Sequence, residues 1–83
     1  MSSQYRVEIL GPACDHSSRL EAYVRAAATR AGIEADYARV SDALEIARRG
    51  VLAVPALVID GRLISAGQVP TVARLARLFA TPG

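Results

Sequence analysis

The sequence predicts a single α/β domain with the element order βαβαββα, in which a four-stranded mixed sheet is covered by helices on both faces. Two observations support this prediction. Short apolar segments alternate between the two-residue period of a strand and the 3.6-residue period of a helix, and glycine or proline separates most of these segments. The 83-residue length leaves room for one compact core, and 52% of the residues are hydrophobic. We therefore expect residues 1–83 to form one domain.

The first half of the chain predicts a strand, a helix and a second strand. The segment Gln4–Leu10 alternates and then becomes apolar, as expected for a strand that ends at the Gly11-Pro12 breaker. From Asp15 to Ala31, apolar residues recur every three or four positions, which predicts an amphipathic helix. Gly32 suits the left-handed end of that helix, and Ile33–Val40 predicts a second strand. A right-handed helical crossover would make the two strands parallel.

The next segment predicts a short helix and an antiparallel hairpin. Asp42 with Glu45 three positions later has the pattern of a capping box, and the helix it opens should stop at Gly50. Two apolar runs, at residues 56–60 and 63–67, then predict a pair of strands. The Asp60-Gly61 pair, where the first run ends, favours a tight turn between the two strands because both residues tolerate positive φ.

A final helix is predicted to begin near Pro70, whose missing amide hydrogen is harmless in a first helical turn. Its apolar face would comprise Val72, Leu75, Ala76 and Phe79.

Composition excludes several classes of function. The net charge is only +2, and the basic residues are arginines scattered along the chain, so we expect no nucleic-acid partner. The adjacent pair Arg48 and Arg49 is expected at an exposed helix end. No apolar run approaches the roughly 20 residues of a membrane helix, and Met1–Arg6 lacks the apolar core of a signal peptide. One cysteine cannot form an internal disulfide, so we expect a reducing compartment, the cytoplasm.

The single cysteine, Cys14, is the main candidate for chemistry. It follows a strand and begins a helix, where unpaired amide hydrogens and the helix dipole lower a thiol pKa from about 8.5 to roughly 3.5–7.5. Ser17, one turn later, can donate a hydroxyl hydrogen bond to the thiolate. The Asp15 carboxylate opposes a thiolate, and His16 offsets that effect only when protonated.

Each candidate residue also has a purely structural interpretation. Cys14 would then be a small buried residue, His16 an exposed residue of the first turn, and Ser17 an ordinary helix-start residue. Pro55 would be a trans proline at the entry to a strand.

Two segments resemble the thioredoxin fold family. They are "GPACDHS", with Cys14 between the first strand and first helix, and "AVPALVID", with Val54-Pro55 before the third strand. The chain is especially similar to glutaredoxin-sized proteins known as redox-active disulfide proteins, across "ILGPACDHS", "GVLAVPALVIDGRLISAGQVP" and the terminal helix. The resemblance implies a minimal thioredoxin-like fold, a reactive Cys14 and a cis Pro55 facing it. The substrate-binding residues that we expect are Pro12, Ala13, Val54 and Gly67.

The chain departs from that family at one position. Relatives usually carry Cys-x-x-Cys, whereas this sequence has Cys14-Asp15-His16-Ser17 and lacks the second, resolving cysteine. A natural monothiol protein, a degenerate site and an engineered substitution all fit this motif. Glutaredoxins that bind glutathione usually have Thr-Val-Pro and Gly-Gly, where this chain has Ala53-Val54-Pro55 and Ala66-Gly67.

The sequence leaves three functions open. The first is monothiol exchange, in which Cys14 attacks a protein or low-molecular-weight disulfide and an external thiol, such as glutathione as co-substrate, resolves the product. The second is a non-catalytic binding or dimerisation module, and the third is metal or iron–sulfur handling through Cys14 and His16. A small copper-chaperone domain is a further alternative, but such domains differ from this chain in their element order and have paired cysteines. We expect no resident cofactor or metal, no membrane partner, and a monomer or weak homodimer.

Overall fold

The computed structural model describes residues 5–80. Within that range it contains the predicted elements in the predicted order: β1 (Tyr5–Leu10), α1 (Asp15–Ala31), β2 (Ala35–Val40), α2 (Ala43–Arg48), β3 (Ala56–Ile59), β4 (Arg62–Ala66) and α3 (Val72–Ala80). Gln4, which was expected to begin the first strand, and the terminal residues 81–83 lie outside the described range.

The four strands form one mixed sheet in the order β2-β1-β3-β4. The central strand β1 pairs parallel with β2 and antiparallel with β3, and β3 pairs antiparallel with β4. The predicted mixed α/β sheet is therefore confirmed. β1 is an interior strand of the sheet, and the turn that follows its carboxyl end leads into α1.

The two faces of the sheet carry different amounts of core. On one face, α1 and α3 pack against β1 and β3, and the fully buried members of this cluster include Val7, Leu20, Leu57 and Leu75. The other face carries α2 and a smaller buried cluster, formed by Leu10, Ile46, Ala56 and Val58. Helices therefore cover both faces, as the apolar runs of β1 and β3 predict.

The two hairpin strands differ from the sequence-based bounds by one residue, since β3 ends at Ile59 and β4 spans Arg62–Ala66, and two other elements begin later than expected. The second strand begins at Ala35 because the helix cap occupies the preceding residues, with Gly32 at φ 70° and the Ile33 amide bonded to the Ala28 carbonyl. The last helix begins at Val72, where the Thr71 hydroxyl accepts a hydrogen bond from the Arg74 amide. Pro70 therefore precedes the helix and is not part of its first turn.

The hairpin between β3 and β4 has the predicted turn. Asp60 and Gly61 have φ of 52° and 81°, and the Asp60 carboxylate also accepts a bond from the Arg6 amide. The strand pairing then shifts: Val58 is opposite Leu63, but Leu57 is opposite Ser65. The residue between them, Ile64, is the extra residue of a β-bulge.

Arg49 lies at an exposed helix end, as expected, where it is the C-cap of α2. Its guanidinium is also part of an ion-pair cluster that the sequence did not predict. It donates two hydrogen bonds of 2.9 and 2.8 Å to the Glu8 carboxylate and one to Glu45. Glu45 thus binds Arg49, while Asp42 accepts the capping bond from the Leu44 amide.

Across residues 5–80, none of the helices has the length and apolar character needed to cross a bilayer.

Candidate active site: a thiol at the start of the first helix

Cys14 is placed by the turn that joins β1 to α1. The Gly11 amide donates a 2.8 Å hydrogen bond to the Val40 carbonyl and so extends the β1–β2 ladder past Leu10. Cys14 itself has extended backbone angles, φ −146° and ψ 173°, and is the N-cap of α1. Its carbonyl accepts the first helical hydrogen bond, from the Ser18 amide at 3.0 Å. The thiol is exposed, so its interpretation as a buried small residue is wrong.

The first turn of α1 lowers the pKa of the Cys14 thiol. The amide of Ser17 has the largest effect, the Ser17 hydroxyl comes next, and the His16 amide adds a smaller contribution. Partial desolvation and the charge of Asp15 act in the opposite direction without reversing the shift. These groups lower the pKa by hydrogen bonding to the thiolate at the amino end of the helix. The geometry therefore favours the thiolate.

Ser17 stands where a resolving thiol would stand. It is completely buried, and its hydroxyl oxygen lies 3.7 Å from Cys14 Sγ. A hydroxyl at this position can donate a hydrogen bond to the thiolate, but it cannot form a disulfide with it. The local spacing of one helical turn is sufficient to bring these two side chains together.

Gly11 belongs to the site, although the sequence indicated it only as a strand breaker. Its φ is 153°, and a Cβ placed there would lie 2.8 Å from the Ser17 hydroxyl oxygen. The same Cβ would lie 3.5 Å from both the Pro55 Cα and the Val54 Cβ. Gly11 is therefore the point at which the end of β1, the start of α1 and the loop before β3 meet. A glycine beside a proline at the end of a strand was the only signal in the sequence.

The loop before β3 forms the second wall of the site. The Val54–Pro55 peptide bond is cis, Pro55 is buried, and the Val54 side chain is 42% exposed. Leu52, just before them, is 98% exposed. An apolar, solvent-facing segment thus leads into β3, and its Val54 and Pro55 lie next to Gly11, in the turn before Cys14.

Gly67 supports this loop from the side of β4. Its amide donates a 2.9 Å hydrogen bond to the Pro55 carbonyl, and a Cβ at Gly67 would lie 3.0 Å from the Ala53 Cβ. The Gly67 amide is therefore already bonded to Pro55. Gly67 contacts the loop before β3 through Pro55 and Ala53. Pro12 and Ala13 are exposed beside Cys14, and Asp15 and His16 are exposed in the first turn.

The described residues contain no group of three or more His, Cys, Asp or Glu side chains arranged to hold a metal ion. Cys14 and His16 are two positions apart in the chain, but they belong to no group of three potential ligands within residues 5–80.

The fold and the site together define a thioredoxin-like domain with an exposed thiol at the start of its first helix. A family model described as "Thioredoxin domain" matches residues 5–80, and the chain belongs to this family. It is also similar to a protein named thioredoxin from Methanothermobacter thermautotrophicus, with 27% identity over 75 residues, or 90% of this chain and 97% of the relative. Both findings support a thiol–disulfide redox function in general.

Proposed function

We propose that the protein performs monothiol thiol–disulfide exchange through Cys14, with an external thiol as the resolving group. The observation that carries the proposal is the pairing of an exposed, pKa-lowered thiol with the buried Ser17 hydroxyl 3.7 Å away. The first feature favours a nucleophile, and the second removes the internal route for resolving a mixed disulfide.

The exchange proceeds in two balanced steps. The Cys14 thiolate attacks one sulfur of a substrate disulfide, forms a mixed disulfide with it, and releases the other half as a thiolate. An external thiolate, such as that of glutathione, then attacks the substrate sulfur of the mixed disulfide. This second attack regenerates the Cys14 thiolate and leaves a new disulfide between the external thiol and the substrate. Ser17 stabilises the thiolate that each cycle restores.

The loop before β3 is the surface that binds the substrate in this proposal. Within residues 5–80, the Val54 backbone has no assigned hydrogen-bond partner, so it is available to pair with an extended segment carrying the disulfide. Pro12 and Ala13 directly precede Cys14 and are exposed, and the exposed Leu52 and Val54 side chains suit an apolar neighbour. The proposed substrates are therefore protein disulfides or small disulfides in the cytoplasm.

The test is the pH dependence of Cys14 alkylation, measured on the reduced protein with Cys14→Ser as the blank. We expect a midpoint below the ordinary thiol value of about 8.5, and a higher midpoint in Ser17→Ala, because that variant loses the hydroxyl donor. The unsubstituted protein should also form a mixed disulfide with glutathione quickly, and excess glutathione should release it. Ser18→Ala, one residue further along α1 and exposed, is the matched control and should leave the midpoint unchanged.

The buried Ser17 also favours a second candidate, a binding module that keeps the fold without turnover. The same experiment separates the two. A midpoint near about 8.5, with slow mixed-disulfide formation, would contradict monothiol exchange and leave the binding module.

A further inference from the structure

The outer edge of β2 is open along its whole length. β2 is the first strand in the sheet order, so among residues 5–80 it pairs with β1 on one side and with no strand on the other. Its pairing with β1 runs from Ala35 to Val40 without a bulge. The other edge strand, β4, is interrupted by the bulge at Ile64. Bulges, lysines and prolines protect edge strands from pairing with other chains, and β2 contains none of them.

One hydrogen bond shows which backbone groups of β2 face this edge. The Val40 carbonyl accepts a bond from the Gly11 amide, so the backbone groups of Val40 point toward β1. Backbone N–H and C=O groups change sides from one residue of a strand to the next. The groups of Ala35, Tyr37 and Arg39 therefore point outward, and no backbone hydrogen bond within residues 5–80 satisfies them. We call these three residues the β2 edge.

The side chains of the β2 edge do not cover its backbone. The Arg39 guanidinium donates a 2.9 Å hydrogen bond to Glu21, and the Arg25 guanidinium lies 4.0 Å from the centre of the Tyr37 ring. Both contacts are with α1, which covers one face of the sheet, so the two long side chains are held over that face. The third side chain, that of Ala35, is only a methyl group. The backbone of the edge is thus the part left open to another strand.

We propose that the β2 edge pairs antiparallel with the β2 edge of a second copy of this chain, with Tyr37 opposite Tyr37. A two-fold axis perpendicular to the sheet passes through this pair and joins the two sheets into one continuous sheet. In this register Ala35 of each copy lies opposite Arg39 of the other. Every outward N–H and C=O group of the β2 edge then gains a partner in both copies.

Charge and length favour a second copy as the occupant. β2 carries one acid and one base, Asp36 and Arg39, so two such strands have no net charge with which to repel each other. In the proposed register Asp36 lies opposite Ala38 and Arg39 lies opposite Ala35, and no like charges are directly opposed. A second copy also supplies a strand of the same length, so no outward group of the edge is left unpaired.

This contact leaves both active-site turns free. β1 is parallel to β2, so antiparallel pairing of two β2 strands places the two Cys14 turns at opposite ends of the joined sheet. A disulfide between the two Cys14 thiols therefore takes no part in the contact. The association is independent of the exchange reaction.

NMR on a mixture of isotope-labelled and unlabelled protein tests the proposal. We expect weak self-association, with a dissociation constant on the order of 1 mM, because pairing of two edges buries little surface. Residues of a non-hydrogen-bonded antiparallel pair approach most closely, so a cross-peak filtered for contacts between copies should join the α-hydrogens of Asp36 and Ala38. A protein that stays monomeric at several times this concentration would overturn the proposal, as would contacts between copies in any other register or at β4.

Charges placed on the two-fold axis test the symmetry of the contact. Tyr37→Lys and Tyr37→Glu each place like charges opposite one another, and each alone should weaken self-association by up to about fivefold. Mixed in equal amounts, the two variants should associate more tightly than either alone, because opposite charges then face each other. Damage to the fold cannot produce this recovery, and its absence would overturn the proposed register.

Two controls complete the test. Leu63→Lys and Leu63→Glu place the same charges at an exposed position of β4, and neither variant, alone or mixed, should change the dissociation constant. Cys14→Ser should associate as the unsubstituted protein does, so a failure of this contact can be told apart from a failure of the exchange reaction. Loss of association in Cys14→Ser would show that the copies meet through the thiol and would overturn the proposal.

Discussion

The turn between β1 and α1, which carries Cys14, depends on the absence of a side chain at Gly11. A Cβ at this position would come within 2.8 Å of the Ser17 hydroxyl oxygen, while Val54 and Pro55 would lie at an ordinary contact distance of 3.5 Å. The sequence predicts Cys14 and Ser17 because their relation is local, one turn of a single helix. It does not predict the role of Gly11, because that role depends on how closely the end of β1 approaches Ser17 in the folded chain, which no local period reveals.

Substitution of Gly11 by alanine should damage both stability and thiol chemistry. The positive φ alone costs a non-glycine residue about 1–3 kcal/mol of folding free energy, and the 2.8 Å approach of the added Cβ would displace the Ser17 hydroxyl. We expect a lower free energy of unfolding in urea and a higher alkylation midpoint for Cys14.

Gly61→Ala is the control for the Gly11 variant. Gly61 also has a positive φ, 81°, but no atom lies within 4 Å of its added Cβ. It should lose stability while its alkylation midpoint stays unchanged. An unchanged midpoint in Gly11→Ala would mean that the hydroxyl is not held in place by the close approach of this glycine.

At the scale of the element, α2 depends on partners outside itself. A helix of six residues is too short to be stable alone. The Asp42 side chain caps its start, and Arg49 joins its end to the buried Glu8 of β1. The Arg49 guanidinium holds the pKa of the Glu8 carboxyl below its ordinary value, against the opposing effect of burial. The pair therefore stabilises the folded state only while Glu8 is ionised.

We expect Glu8→Gln to lower stability at neutral pH and to reduce its loss in acid. The free energy of unfolding should fall by about 2 kcal/mol, less than the roughly 3–5 kcal/mol of a fully buried pair, since Arg49 reaches solvent. Because the folded pKa of Glu8 is lowered, its contribution is present above the unfolded value of about 4.3 and is lost as pH falls through the folded pKa.

Urea unfolding at neutral and acid pH measures this difference. Glu21, whose pKa Arg39 and Arg25 also lower, contributes to acid sensitivity in both proteins and cancels in the comparison. Arg48→Gln is the control, since this neighbouring arginine is exposed. Parallel pH profiles for Glu8→Gln and the unsubstituted protein would show that the Glu8–Arg49 pair contributes nothing to acid stability.

Element boundaries follow the sequence where the determining residues are local. The bounds of α1, Asp15–Ala31, match the prediction, because apolar spacing and Gly32 define them. The bulge at Ile64 and the burial of Glu8 were not predicted. The bulge depends on the register of β4 against β3, and the burial of Glu8 depends on an arginine 41 positions away. Neither feature changes the local hydrophobic period of the sequence.

At the scale of the whole molecule, the two sides of the sheet should differ in stability. The side of α1 and α3 contains most of the buried apolar residues, whereas the side of α2 has a four-residue cluster. Tyr5 adds to the larger side: its ring packs edge-on to Phe79 at 5.2 Å between centroids, and its hydroxyl donates to the Phe79 carbonyl. Local opening is therefore expected first around α2 and the loop that follows it.

Truncation of one buried residue on each side tests this asymmetry. Leu75→Ala removes a fully buried side chain between α3 and the sheet and should cost about 2–5 kcal/mol, a large share of the stability of so small a domain. Ile46→Ala, on the smaller side, should cost less and increase hydrogen exchange mainly in α2. Exchange measured amide by amide distinguishes the two, because Leu75→Ala should raise exchange throughout α1, β1 and β3. If Ile46→Ala raised exchange in those elements equally, the two sides of the sheet would unfold as one cooperative unit. The Val54–Pro55 loop, which follows α2, would then not open independently of the larger core.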